Sequence, residues 1–135
     1  MKNSATLILL MLSLIFGLSY ASAQTDQQDK LSKALAKYTK GENVKKCVSI
    51  SRIQNSTVID DQHILFEFSG AKAYLNTLPY KCPRLGFTKA FSYVTSQNQL
   101  CDLDIITVFD GGANMSGASC GLGKFEEYQK IPKKK

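Results

Sequence analysis

Four cysteines constrain this chain more than any other feature of its sequence. They are Cys47, Cys82, Cys101 and Cys120. Successive cysteines are 35, 19 and 19 positions apart, so the chain has no C-x-x-C pair of the kind that zinc sites and redox-active dithiols use. An even number of widely spaced cysteines in an exported domain indicates two structural disulfides, with three connectivities open. We expect Cys82–Cys101 across a loop region. The other pair, Cys47–Cys120, would join the start and end of the core.

The first 23 residues have the features of a secretory signal peptide. Lys2 provides a positive n-region, residues 7–18 form an apolar h-region, and Ala21-Ser22-Ala23 supplies a small-x-small cleavage pattern. The apolar run of about a dozen residues is shorter than the ~20 that a transmembrane helix requires. We therefore predict cleavage after Ala23, export to the periplasm or the medium, and no integral membrane segment.

The next segment, residues 24–41, has a helical pattern. Thr25 and Gln28 have the spacing of a capping box, and an apolar stripe at helical spacing follows. The stripe consists of Leu31, Ala34, Leu35 and Tyr38. We predict an N-terminal amphipathic helix over about 26–39, with Gly41 as its stop.

Residues 42–129 alternate between short strand patterns and turn signals. The clearest strand runs from His63 to Phe68, and Ser69-Gly70 then predicts a tight hairpin link. Asp104–Phe109 is a nearly continuous apolar run, which favours a central strand covered on both faces. A Gly-rich loop is expected over 110–119. About six short strands imply a mainly β domain, a small antiparallel sheet, sandwich or barrel held by two disulfides.

The net charge of +6 belongs to the two ends of the chain rather than to its centre. Residues 30–46 carry a net charge of +5 and residues 130–135 carry +4, whereas residues 47–129 carry −2. A nucleic-acid module would interleave basic and aromatic side chains on a folded face, so we expect no nucleic-acid partner. We predict a disordered Lys-rich tail over 130–135. It either serves solubility alone or makes a weak contact with an anionic envelope surface.

Five residues have side chains suited to binding: Asp60, Asp61, His63, Asp110 and Asn114. His63 is the only histidine, and a preceding aspartate could orient it as a general base, but a surface histidine is commoner. A turn explains Asp60-Asp61 equally well. The loop containing Asp110 and Asn114 could present N–H groups to an anion, yet it lacks the ending of a P-loop. We therefore predict no catalytic residue, no metal ligand and no cofactor.

Several motifs, in their order along the chain, are similar to those of a family of small exported proteobacterial proteins of unknown function. The motifs are CVSISRI from Cys47, DD from Asp60, YLNTL from Tyr74, NQLC from Asn98 and SCGLGKF from Ser119. The resemblance covers about residues 42–128. It implies a bacterial, periplasmic setting and no particular reaction, because the family has none assigned.

We expect a small exported protein that is not an enzyme and that binds an unidentified protein or envelope partner. The alternatives are a periplasmic enzyme or enzyme inhibitor, with a site near the 110–119 loop, and an envelope-contact or stress protein. An enzyme should gather polar residues with perturbed pKa values in a pocket. A binding module should expose an apolar patch, and an envelope-contact protein should align its lysines.

Overall fold

The computed structural model describes residues 21–110 and 115–132. The predicted signal segment up to residue 20, Asn114 and residues 133–135 lie outside this part. In chain order the elements are α1 (Ala21–Leu35), β1 (Tyr38–Lys45), β2 (Cys47–Ser49), a 3₁₀ turn (Ile50–Arg52), β3 (Ile53–Val58), β4 (His63–Phe68), β5 (Lys72–Thr77), α2 (Leu85–Thr88), β6 (Phe91–Tyr93), β7 (Gln99–Cys101), β8 (Ile105–Asp110), β9 (Met115–Gly121) and β10 (Phe125–Lys130). The predicted mainly β class is confirmed.

The strands form three antiparallel sheets: β1-β10-β5-β4-β3, β6-β8-β9 and β2-β7. Alternation along β4 sends Ile64 and Phe66 to one face of the five-stranded sheet. There they join Ile106 and Val108 of β8 and Leu100 of β7 in one buried cluster. The main core therefore lies where the two smaller sheets meet the five-stranded sheet.

Helix α1 covers the opposite face of the five-stranded sheet. Leu31 and Leu35 of the helix pack against a second cluster that contains Leu65, Leu75 and Tyr128. Leu65 is only 3% exposed, although the sequence places it on the outward face of β4 with His63. The centre of the five-stranded sheet is thus buried on both faces.

The helix boundaries differ from the prediction. Helix α1 begins before the predicted capping box and ends at Leu35. Tyr38, which the pattern assigns to the helix, begins β1 and pairs with Lys130 of β10. Gly41 lies inside β1, not at a helix end. Pairing with β10 supplies backbone hydrogen bonds and burial that outweigh the small differences in helix propensity.

Strand β8 is central in its sheet, but only one of its faces is buried. Ile106 and Val108 are buried, whereas Ile105 and Phe109 are 54% and 52% exposed, so the predicted covering of both faces is wrong. Strand β9 begins at Met115, so the predicted 110–119 loop is also shorter than expected. The Gly- and Ser-rich sequence of β9 has low β-propensity and conceals the strand.

The predicted disulfide connectivity is wrong. The structure joins Cys47 to Cys101 and Cys82 to Cys120. Antiparallel pairing of β2 with β7 places Cys47 directly opposite Cys101. Cys82 lies in the loop after β5 and is fully buried, where it bonds to Cys120 of β9. The spacing of the cysteines contains no information about this strand pairing.

The predicted tail overlaps the last strand. The Lys130 N–H donates to the Ala71 carbonyl at 2.8 Å, and the Ile131 N–H donates to the Lys37 carbonyl at 2.8 Å. The Lys130 Nζ also lies 3.2 Å from Glu67 Oε1. Ordered backbone therefore extends past the predicted boundary at residue 130.

Candidate functional site

Asp60 is the buried centre of the turn between β3 and β4. It is 5% exposed, and its Oδ1 accepts the backbone N–H groups of Gln62 at 2.7 Å and His63 at 2.9 Å. The Nδ1 of His63 lies 2.9 Å from each carboxylate oxygen. These bonds satisfy a buried carboxylate and fix the orientation of the imidazole. The predicted turn is therefore built on the Asp60 side chain, as in an Asx-turn.

Asp61 attaches this turn to the segment around α2. Its Oδ1 accepts the Gly86 N–H at 2.7 Å, and its carbonyl accepts the Cys82 N–H at 2.7 Å. The Lys89 ammonium reaches back to donate to the Val58 and Ile59 carbonyls, at 3.0 and 2.8 Å. The two bonds to Asp61 therefore join the β3–β4 turn to α2 and to the loop before it.

The Asp60–His63 pair has the arrangement of a histidine held by a carboxylate, which general-base catalysis uses. Thr77 of β5 is opposite His63 in the sheet register. The His63 side chain is 16% exposed, and five surface cavities of the described chain are all lined by other residues. A binding role for Asp60, Asp61 and His63 stays a prediction.

The other two candidate residues lie elsewhere. Asp110 pairs with Met115 in the three-stranded sheet, away from the sheet that contains His63, and Asn114 lies outside the described residues. Within residues 21–110 and 115–132, no three His, Cys, Asp or Glu side chains group closely enough to hold a metal ion. No helix in these ranges is long and apolar enough to cross a membrane.

The largest pKa shifts occur at a contact between Tyr38 and Glu67. The Tyr38 hydroxyl donates to Glu67 Oε1, and Asn55 Nδ2 donates to Oε2 at 2.9 Å. The hydrogen bond from Tyr38 and then that from Asn55 lower the pKa of Glu67 to about 2. Burial and then the bond to Glu67 raise the pKa of Tyr38 to about 12. Both pKa values move away from neutrality, whereas acid–base catalysis favours values near it, which argues against a general acid or base at this contact.

We expect the Tyr38–Glu67 contact to make stability depend on pH at both extremes. The pKa of Glu67 lies below its ordinary 4.5 in the folded state, so its contribution is complete above pH 4.5 and is lost toward pH 2. The pKa of Tyr38 lies above 10, so its contribution is complete below pH 10 and is lost toward pH 12. In urea unfolding, the free energy of unfolding of Tyr38→Phe should fall less between pH 10 and 12 than that of the wild type. Identical losses would contradict this assignment.

An apolar groove of about 390 Å³ runs beside β9. It is lined by Pro79, Tyr80 and Pro83 of the loop after β5, by Leu103, and by residues 118–121 of β9. Tyr80 is 85% exposed and Leu103 is 76% exposed. Large apolar side chains that share one exposed groove are typical of a contact surface.

One edge of β9 has no strand partner, since within the described chain β9 pairs with β8 alone. The Leu122 N–H donates to the Asp104 carbonyl, and the Leu122 carbonyl accepts the Leu103 N–H, both at 2.9 Å. In an antiparallel strand, every second residue directs both its N–H and its C=O to the strand on one side. The residues between them direct these groups to the other side. The backbone groups of Ser119 and Gly121 therefore point to the unpaired edge. No charged residue or proline in β9 protects this edge from pairing.

Leu103 has a backbone conformation that favours glycine or asparagine. Its φ is 74°, in the left-handed region, which costs about 1–2 kcal/mol for a residue with a Cβ. Its side chain recovers little by burial, because most of it is exposed. Burial within the fold therefore does not compensate the conformational cost of a leucine at this turn.

Nothing in the sequence alone brings the residues of this groove together. Leu103 has a local signal, an apolar residue between Asp102 and Asp104 in a turn, and Tyr80 follows Pro79 in a loop. Neither signal shows that the two side chains share a groove. That proximity depends on the packing of β9 against the loop after β5.

Comparison with known proteins places the chain in a family without assigning a reaction. No curated protein and no solved structure matches the chain. A family model described as "Family of unknown function (DUF6491)" matches residues 1–129. This match extends beyond the 42–128 region of the sequence resemblance, because it includes α1 and the residues before it. The chain therefore belongs to the family of unknown function DUF6491.

Proposed function

We propose that this protein is an exported, non-enzymatic interaction module that binds an extended segment of a partner protein along β9. The observation that carries the proposal is the exposure of Tyr80 and Leu103 on one apolar groove. The two disulfides are compatible with an oxidising compartment and support the export part of the proposal.

The free edge of β9 favours an extended peptide as the occupant. Ser119 and Gly121 offer backbone donors and acceptors to an added antiparallel strand, and side-chain pockets beside such an edge select the sequence. Every second side chain of the added strand would face the groove and should be apolar. Among the described residues that line the groove, Lys81 alone is charged, so a neutral or acidic segment is favoured.

The test uses linear peptides selected from a random phage-displayed library on the oxidised wild-type protein. We expect the selected peptides to have alternating apolar residues. By isothermal titration calorimetry, Tyr80→Ala and Leu103→Asn should each weaken their binding at least about tenfold, as expected for central apolar contacts. Val94→Asn is the matched control, since Val94 is 93% exposed and does not line the groove.

Two further measurements make this test specific. Leu103→Asn should be at least as stable as the wild type, because asparagine tolerates the left-handed conformation, so lost binding would not reflect unfolding. Peptides N-methylated at alternate positions should bind at least about tenfold more weakly if their backbone pairs with β9. Equal binding to Leu103→Asn and Val94→Asn would contradict the proposal. A wild-type dimer that Leu103→Asn dissociates would also contradict it, since a second copy would then fill the groove.

A further inference from the structure

We propose that this protein has a second binding site, a cationic cleft that holds a phosphate group. The cleft has a volume of about 180 Å³ and lies between the five-stranded sheet and the β2 region. Three cationic side chains line it, those of Lys45, Arg52 and Lys72. Phe68 and Tyr74 line it as well, and none of its lining residues is acidic.

The three cations come from three different elements that the fold holds together. Lys45 ends β1, Arg52 ends the 3₁₀ turn, and Lys72 begins β5. The Lys45 Nζ lies 5.4 Å from the centroid of the Tyr74 ring. Within the described chain, neither Lys45 nor Arg52 forms an ion pair with a carboxylate, so both charges are available to a ligand.

Glu127 is an acidic residue that interacts with two of these cations, Lys72 and Lys45. It is 5% exposed, accepts a hydrogen bond from Asn43 Nδ2 at 2.7 Å, and has its Oε1 3.5 Å from Lys72 Nζ. The bond from Asn43 first, and then the charges of Lys72 and Lys45, hold the pKa of Glu127 below its ordinary value. Glu127 therefore stays ionised and compensates one of the three positive charges.

The remaining charge matches a phosphate monoester. Three cations and one carboxylate leave two positive charges, and a phosphate monoester carries about −1.5 to −2 at neutral pH. The planar guanidinium of Arg52 can donate two parallel hydrogen bonds to phosphate oxygens. A single carboxylate ligand would leave one positive charge uncompensated. Charge complementarity therefore favours phosphate over carboxylate.

The volume of the cleft limits the size of the ligand. Val48, Phe68 and Tyr74 line the cleft and are 4–7% exposed, whereas the three cationic side chains are exposed to solvent. A volume of about 180 Å³ is below the ~300–1,000 Å³ of sites for drug-sized ligands. The cleft therefore fits a free phosphate or the phosphate headgroup of a lipid. The ligand chemistry is the same in both cases.

The test is isothermal titration calorimetry of the oxidised protein with sodium phosphate, with sodium chloride at matched ionic strength as the reference titrant. We expect phosphate to bind, and Lys45→Gln and Arg52→Gln each to raise its Kd at least about tenfold, the loss typical of a charge-assisted contact. Lys46→Gln is the matched control. It removes the same charge from the next position, where an exposed lysine does not line the cleft.

A second arm separates the two sources of phosphate. Phosphatidylcholine vesicles with and without phosphatidic acid are sedimented with the wild type, Arg52→Gln and Lys46→Gln. Binding of inorganic phosphate supports a free ligand, and binding to phosphatidic acid that Arg52→Gln abolishes supports a lipid headgroup. If neither probe binds, or if Lys46→Gln loses as much binding as Arg52→Gln, the proposal is overturned. Tyr80 and Leu103 do not line this cleft, so its failure would leave the β9 groove untouched.

Discussion

Replacing Gly123 by alanine is expected to unfold this protein at ambient temperature. A Cβ added to Gly123 would overlap the carbonyl oxygen of Thr77 and lie 3.0 Å from its carbonyl carbon. Both atoms belong to the backbone of β5, which is paired on both sides, with β4 and with β10. A clash with a backbone held in this way should cost more than ~4–5 kcal/mol. That is comparable with the whole ~5–15 kcal/mol stability of a typical domain.

Asn76 accounts for the close approach of the two backbones. Its side chain is fully buried, its Nδ2 donates to the Gly123 carbonyl at 2.6 Å, and its Oδ1 accepts the Gly123 N–H at 2.9 Å. The amide thus pairs with Gly123 as a neighbouring strand would, in the link between β9 and β10. A residue with a side chain would force these groups apart and leave buried polar groups unpaired.

Urea unfolding of the oxidised proteins measures this effect, with Gly121→Ala as the matched control. A Cβ at Gly121 meets nothing within 4 Å, so this substitution should change the free energy of unfolding by no more than about 0.5 kcal/mol. A Gly123→Ala protein with the wild-type unfolding midpoint would contradict the packing of this link against β5.

Local sequence signals predicted the local parts of this fold. The alternation from His63 to Phe68 is strand β4, and Gly70, with a φ of 80°, lies in the predicted hairpin turn. The apolar spacing places Tyr38 in the wrong element because its strand partner, Lys130, is distant in sequence. Its spacing from Leu31 and Leu35 fits a helix equally well, and only the presence of β10 decides between the two.

The same distinction applies to the candidate sites. Asp60 and His63 are three positions apart, so a sequence can suggest their contact, and the structure shows it. Tyr80 and Leu103 are brought to one groove by contacts between distant segments, and so are Lys45 and Lys72 at the cationic cleft. A single sequence does not contain those pairings in any local pattern.

Removing the Cys82–Cys120 disulfide is expected to produce the second large loss of stability. The bond joins residues 38 positions apart, and on the chain-entropy argument a loop of this size contributes about 4 kcal/mol. The free energy of unfolding of the double variant Cys82→Ala/Cys120→Ala, measured with urea, should be lower by about this amount. Because the variant retains Cys47–Cys101, it should contain no free thiol.

A second double variant, Cys82→Ala/Cys101→Ala, separates the observed connectivity from the one that the spacing favours. With Cys82 bonded to Cys120 and Cys47 bonded to Cys101, this variant loses both disulfides and exposes two thiols to a titrating reagent. It should therefore be far less stable than Cys82→Ala/Cys120→Ala. If Cys82→Ala/Cys120→Ala were instead the less stable variant and contained two free thiols, Cys82 would have to be bonded to Cys101. It would also contradict the pairing of β2 with β7, because that ladder places Cys47 opposite Cys101.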